Sequence, residues 1–248
     1  DFPKTFRDAM KISLELGVHH LWLDSLCIFQ DSMDDKSKEI STMQDVYTHA
    51  LCNIAATSAP NSTVGLSFSR NSRANLPFWV ATGEFVKFGS DEFVKSNQLV
   101  FPPGSCWSDA IESGPLNQRA WVMQENLLSS RVLHFTQSQV LWECYDDRTT
   151  EIYPEVPAVV DLDKGYPLTY PLQRETDKVH LGFPHAMQVH RKSSYRNLYI
   201  AWTRMLDIYT QCFLTEERDR LPAISGIVKL IGSRMGDEYV AGFWRSRL

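Results

Sequence analysis

Two apolar runs constrain this chain more than any other feature. VHHLWLD (18–24) and LCNIAAT (51–57) carry their apolar residues consecutively rather than alternately, the pattern of strands covered on both faces. Between them, SKEISTMQDVYTHA sets Ile40, Met43, Val46, Tyr47 and Ala50 three or four residues apart, on one face of a helix. Strand, helix and strand at this spacing predict a parallel α/β unit with a right-handed crossover. Residues 18–24, 51–57 and 131–136 are therefore expected in one sheet, the first two parallel. PKTFRDAMKISLELG predicts a preceding helix, capped by Thr5 and stopped at Gly17.

Further along, FWVATGEFVKFG predicts a short hairpin turning near Gly83, and QRAWVMQENLL a short helix. RVLHFTQSQVLWECY reads as two strands joined by a polar turn. Residues 154–192 hold five of the twelve prolines and read as an insert or linker. In the tail, Leu198, Trp202, Met205, Leu206, Tyr209 and Phe213 form an apolar helical stripe that should pack on the core, being too large a face to leave wet.

With 43% hydrophobic residues and seven tryptophans, 248 residues suffice for a sizeable core. A net charge of −5 without a long Lys/Arg block gives no electrostatic reason to expect nucleic acid. The five cysteines, at 27, 52, 106, 144 and 212, include no C-x-x-C pair. They predict no metal site, and free buried thiols in a reducing compartment. Without an apolar run of spanning length or a signal peptide, the expectation is a cytoplasmic protein with no membrane partner.

Several phrases, taken in order, resemble the fungal heterokaryon-incompatibility (HET) domain: FPKTFRDAM, LWLDSLCIFQDS, MQDVYTHALCNIAATSAPNSTVGL and PLNQRAWVMQENLLSSRVLHF. WECYDDRTTEIYP and LTEERDRLPAISGIVKLIGSRMGDEYVAGFWRSRL resemble segments that commonly follow it. The resemblance implies three regions: a HET-like α/β domain over 1–156, a proline-rich insert over 157–192, and a helical extension over 193–248 packed on the core. Family members carry an ALSYxWG-like segment before the first phrase, so a first strand is expected outside this chain. The implied role is non-self recognition in filamentous fungi ending in programmed cell death, a form of innate immunity. The implied fold is TIR-like, a flavodoxin-like, largely parallel sheet flanked by helices.

Some TIR domains cleave NAD at the nicotinamide–ribose bond with the glutamate of a W-C-x-x-E phrase. AWVMQE places Trp121 four residues before Glu125, with Val122 where that phrase has cysteine. The resemblance thus implies NAD or a related nucleotide as substrate, with no other cofactor, and Glu125 as the catalytic carboxylate. The alternative is a module without catalysis that self-associates or binds protein partners.

Each candidate also has a plainer reading. Glu125 could be an ordinary helical glutamate. Asp24 could bind ribose hydroxyls, cap the turn after it, or pair with Arg119. Arg119 could clamp a pyrophosphate or serve as a structural ion-pair partner. Trp121 could stack on a ring or belong to the core, and Gln30 and Gln124 could meet amide or hydroxyl groups. Cys27 as a nucleophile would need a nearby histidine; a buried structural thiol is the expected reading. DDKSKE reads as a solvated helix start.

Overall fold

The computed structural model describes residues 2–70, 78–88, 92–100, 110–111, 114–144, 148–152, 154 and 195–248. Helix α1 (Lys4–Glu15) begins after Pro3, which has no side chain able to cap, and ends where Gly17 takes φ 73°. The expected cap, Thr5, does other work. Its backbone N–H donates to Ser62 and its hydroxyl accepts from Gly65 N–H, while Asp8 accepts from Leu66 N–H. These bonds tie the 62–66 loop to the helix.

The first corrections concern residues 18–24. Residues 18–23 form no strand, and Asp24 opens a one-turn helix, α2 (Asp24–Cys27). Helix α3 (Met33–His49) follows. The Ser32 hydroxyl caps it by accepting from Asp35 N–H, and Asp34 and Asp35 complement the dipole in its first turn. Strand β1 (Asn53–Ala55) comes next. The run is not covered on both sides: Val18, Leu21, Trp22 and Leu23 are half-buried, and His19, His20 and Asp24 are exposed. Leu21 packs with Ile54 against the apolar cluster that holds Ala9. Both 18–24 and 51–56 line a cavity on the open edge of β1, where a partner strand would have to lie.

Strand β2 (Phe78–Phe88) pairs antiparallel with β3 (Glu92–Val100). Gly83 therefore falls inside β2, at a register irregularity between Ala81 and Phe85, and is not the turn of a hairpin. Helix α4 (Ala120–Leu128) leads into β4 (Arg131–Phe135), β5 (Val140–Cys144) and β6 (Arg148–Thr150). The sheet order is β1-β4-β5-β6. Only β1 and β4 are parallel; β4–β5 and β5–β6 are antiparallel. The sheet is mixed, not largely parallel, because the short turn after Phe135 reverses the chain directly.

One sheet face carries Ile54, Leu133 and Phe135 against Ala9 and Ile12 of α1. Asn53, next along β1, projects the other way and meets Asn126 of α4. Between β4 and β5 lies a buried polar group. His134, 1% exposed, bonds the Thr57 hydroxyl at 3.1 Å and approaches Glu143 at 3.4 Å, while Arg148 donates twice to Glu143.

The tail is α5 (Tyr195–Tyr209) and α6 (Ser225–Met235), followed by the short pair β7 (Tyr239–Val240) and β8 (Phe243–Trp244). Leu198, Trp202, Met205 and Tyr209 are buried with Ile227, Ile231, Trp244 and Ala120 of α4. The rings of Trp202, Tyr239 and Trp244 meet edge-on at 5.2–5.5 Å. Phe213 leaves the stripe: its side chain is 71% exposed, and only its backbone is engaged, bonding Gln118 and Ala120. The Pro-rich expectation over 157–192 lies outside the described residues. Among the described residues no helix is long and apolar enough to cross a membrane.

Candidate functional site

The cavity on the open edge of β1 measures about 810 Å³, within the usual range for small-molecule sites. Segment 18–24, the end of α3, β1 and one flank of α4 form its walls. Three of the six residues singled out in the sequence converge there: Asp24, Arg119 and Glu125.

Local structure explains their placing. Arg119 is extended at φ −89°, ψ 130° and precedes α4 as its cap residue, while Asp24 follows extended Leu23 at the first position of α2. Both side chains sit on turns at the rim and are exposed. Glu125 lies deeper. It keeps an opening onto the cavity, but protein surrounds its carboxylate.

That burial pushes the Glu125 carboxyl up to about 7, with the Asp24 charge adding to the rise. The Arg119 charge and the Tyr47 hydroxyl pull it partly back. Tyr47 responds in kind: burial first, then the Glu125 and Asp24 charges, push its phenol well above the ordinary range. It therefore stays a neutral hydrogen-bond donor to Glu125. Trp22 packs edge-on against Tyr47 at 5.8 Å and holds its ring. Arg119 closes no ion pair within 4 Å with Asp24 or Glu125, so the structural pairing considered from the sequence is absent; Arg119 acts on Glu125 through space.

The other three candidates lie elsewhere. Gln124, one residue and 100° from Glu125 on the helix, is 1% exposed and accepts from Gly226 N–H at 2.7 Å. It fastens α4 to α6 and lies outside the cavity. Side chains of α4 fit so tightly over Gly226 that a Cβ there would meet Leu128 Cδ1 at 2.9 Å and Gln124 Oε1 at 3.0 Å. Trp121 packs against the tail cluster. Gln30 donates its amide to the carbonyls of Asp24 and Ile28, bracing the α2–α3 turn from outside.

The cysteines need correction too. Cys27 is exposed, and Cys52, Cys144 and Cys212 are half-buried free thiols; Cys106 lies outside the described residues. Among the described residues no hydrogen bond joins the Cys27 thiol to a histidine. Cys52 lines the cavity, but burial pushes its thiol up to about 11, leaving it protonated and a poor nucleophile. Among the described residues no group of three or more His, Cys, Asp or Glu is placed to hold a metal ion.

Sequence reasoning missed Tyr47, Asn53 and Asn126. Tyr47 falls in an apolar stripe, although it alone on that stripe carries a hydroxyl. The signal for Asn53 is a polar residue interrupting LCNIAAT, and for Asn126 a third consecutive polar residue, after Gln124 and Glu125, in a helix otherwise rich in apolar side chains.

Chemically, the site sets a carboxyl able to gain or lose its proton near neutrality beside a second carboxylate, a phenol donor and a rim guanidinium. No curated protein and no solved structure matches the chain. Residues 1–125, which include all of Asp24, Tyr47, Arg119 and Glu125, match the family described as heterokaryon incompatibility protein (HET). The chain belongs to the heterokaryon incompatibility (HET) protein family.

Proposed function

We propose that this chain is the cytoplasmic effector of a heterokaryon-incompatibility response, and that its cavity binds a nucleotide and hydrolyses NAD at the nicotinamide–ribose bond. The observation that carries this reading is the position of Glu125, a buried carboxyl pushed up to about 7 inside a cavity of about 810 Å³ with Asp24 and Tyr47 beside it. Perturbed titration inside a cleft is a mark of functional sites.

In the reaction, the bond from the ribose C1′ to the ring nitrogen breaks. Its electron pair goes to nicotinamide, whose ring loses its positive charge, and the ribose becomes an oxocarbenium ion. Ionised Glu125 stabilises that cation more than the ground state. Water then adds to C1′ and releases a proton. Arg119 at the rim holds the pyrophosphate, and Asp24 takes ribose hydroxyls. The Trp121–Glu125 spacing and the parallel β1–β4 pair support a TIR-like ancestry. In this reading residues 1–156 form the effector unit, and 193–248 brace α4 from behind.

Expression in a filamentous fungus tests the role. Wild type should kill and Glu125→Gln should not; equal killing by a folded Glu125→Gln protein would reject the enzymatic reading. A second reading, a non-catalytic self-associating module, draws support from Leu26, Phe29 and Met33. These large apolar side chains are exposed close together in sequence, just after Asp24.

A further inference from the structure

Behind Glu125 runs a chain of three asparagines. Asn117 Nδ2 donates to the Ile111 carbonyl at 2.8 Å, Asn126 Nδ2 donates to Asn117 Oδ1 at 3.1 Å, and Asn53 Nδ2 donates to Asn126 Oδ1 at 3.2 Å. An amide side chain can ordinarily face either way round, since its oxygen and nitrogen are nearly the same size. Here it cannot. The backbone carbonyl at the start only accepts, so Asn117 must present its NH2 to Ile111 and its oxygen to Asn126. The same logic passes to Asn126 and then to Asn53. The chain ends at the cavity, because Asn53 and Asn126 line it and Asn117 does not. What remains there is the Asn53 Oδ1, an acceptor that no donor among the described residues reaches.

We propose that the Asn53 carboxamide oxygen is a specificity subsite that accepts an N–H donor of the bound nucleotide, a primary amide or an aromatic amine. The proposal rests on the nucleotide reading of the cavity and deepens it. A polarised chain makes the subsite selective. A ligand bringing an acceptor to the same place meets oxygen against oxygen, and the amide cannot turn over without breaking bonds along the chain. Sites built to bond one N–H or O–H group reject analogues lacking it far better than apolar pockets do. Asn117 is then a positioning residue, setting the direction of an amide it does not touch.

NAD offers two such donors, the nicotinamide carboxamide and the adenine amino group. Calorimetric titration of the wild-type chain with NAD, nicotinic acid adenine dinucleotide and nicotinamide hypoxanthine dinucleotide separates them, at pH 5, where protonated Glu125 leaves the dinucleotides intact. The expected result is that one analogue, the one lacking the recognised N–H, binds about tenfold more weakly than NAD, the equivalent of one hydrogen bond. Asn53→Ala should erase that ratio. Asn117→Leu, outside the cavity, should erase it too, because the freed amides then present either end, while NAD itself still binds. Equal affinity of wild type for all three dinucleotides would overturn the subsite, as would a ratio that survives in Asn53→Ala. Absence of any NAD binding by wild type would instead sink the nucleotide reading, and the subsite with it.

Discussion

Replacing Glu125 by glutamine should make the protein more stable, by an amount that depends on pH. In the folded chain the carboxyl is pushed from 4.5 up to about 7, chiefly by burial and then by Asp24. The sign follows from linkage. Below pH 4.5 the group is protonated in both states and costs nothing. As pH rises towards 7 the unfolded chain ionises while the folded one holds its proton, so stability falls, and above 7 the full cost is present. At 1.36 kcal/mol per pH unit, the displacement corresponds to about 3 kcal/mol. Glutamine keeps the size and can still accept from Tyr47, but carries no charge to desolvate. Urea unfolding of wild type and Glu125→Gln should therefore coincide near pH 4.5 and diverge to about 3 kcal/mol near pH 8, with the variant more stable. In melting temperature that is roughly 6–12 °C for a chain of this size. From the sequence alone, glutamine at 125 is expected to be thermally silent; its burial changes the expectation. A difference independent of pH, or a variant less stable at pH 8, would refute the burial of an unfavourable charge.

Tyr47→Phe removes the hydroxyl that favours ionised Glu125, so a pH–rate profile for NAD hydrolysis should shift to higher pH with folding unchanged; an unmoved profile would deny the contact. Arg148→Ala removes the guanidinium that donates twice to Glu143, leaving the carboxylate its contact with His134, and should cost about 3–5 kcal/mol in denaturant unfolding at pH 7. Burial alone would raise Glu143, but His134 and Arg148 outweigh it and hold the carboxyl below the ordinary range. The stability this confers on wild type is present above the unfolded value and should be lost as pH falls below about 4. Trp202→Ala empties the tail core where its ring meets Tyr239 and Trp244 and should cost about 3–5 kcal/mol, read as an earlier urea midpoint; a loss under 1 kcal/mol would deny that packing.

Helices α3 and α5 are legible because their apolar residues repeat at helical spacing, α1 through its stop at Gly17, and β4 and β5 because a polar turn separates two apolar runs. Residues 18–23 mislead for a physical reason: Val18, Leu21, Trp22 and Leu23 are only half-covered, lining the cavity, and His19 and His20 are exposed, so the apolar run marks a cavity wall rather than a laddered strand. The mixed sheet was illegible as well, since the direction of β5 is set by the turn over 136–139 and not by which side chains are buried. Within the site, Glu125, Asp24 and Arg119 stood out through the resemblance of the phrases that hold them. Gln124, which the sequence offers with Gln30 as an amide or hydroxyl contact, is aimed at α6 by the turn of the helix, while Glu125 is aimed at the cavity. Tyr47 reaches Glu125, and Asn53 reaches Asn126, across more than 70 residues of sequence, a relation that local spacing does not encode.

Release of nicotinamide from NAD by the purified chain, followed over rising protein concentration for wild type and Glu125→Gln, tests the central claim most directly. Wild type should release nicotinamide, with a rate that rises between pH 6 and 8 as Glu125 ionises. The folded glutamine variant should be about a hundred- to a thousandfold slower, as befits the loss of one transition-state charge contact. Equal rates in the two proteins, or no release by wild type at any concentration, would contradict it.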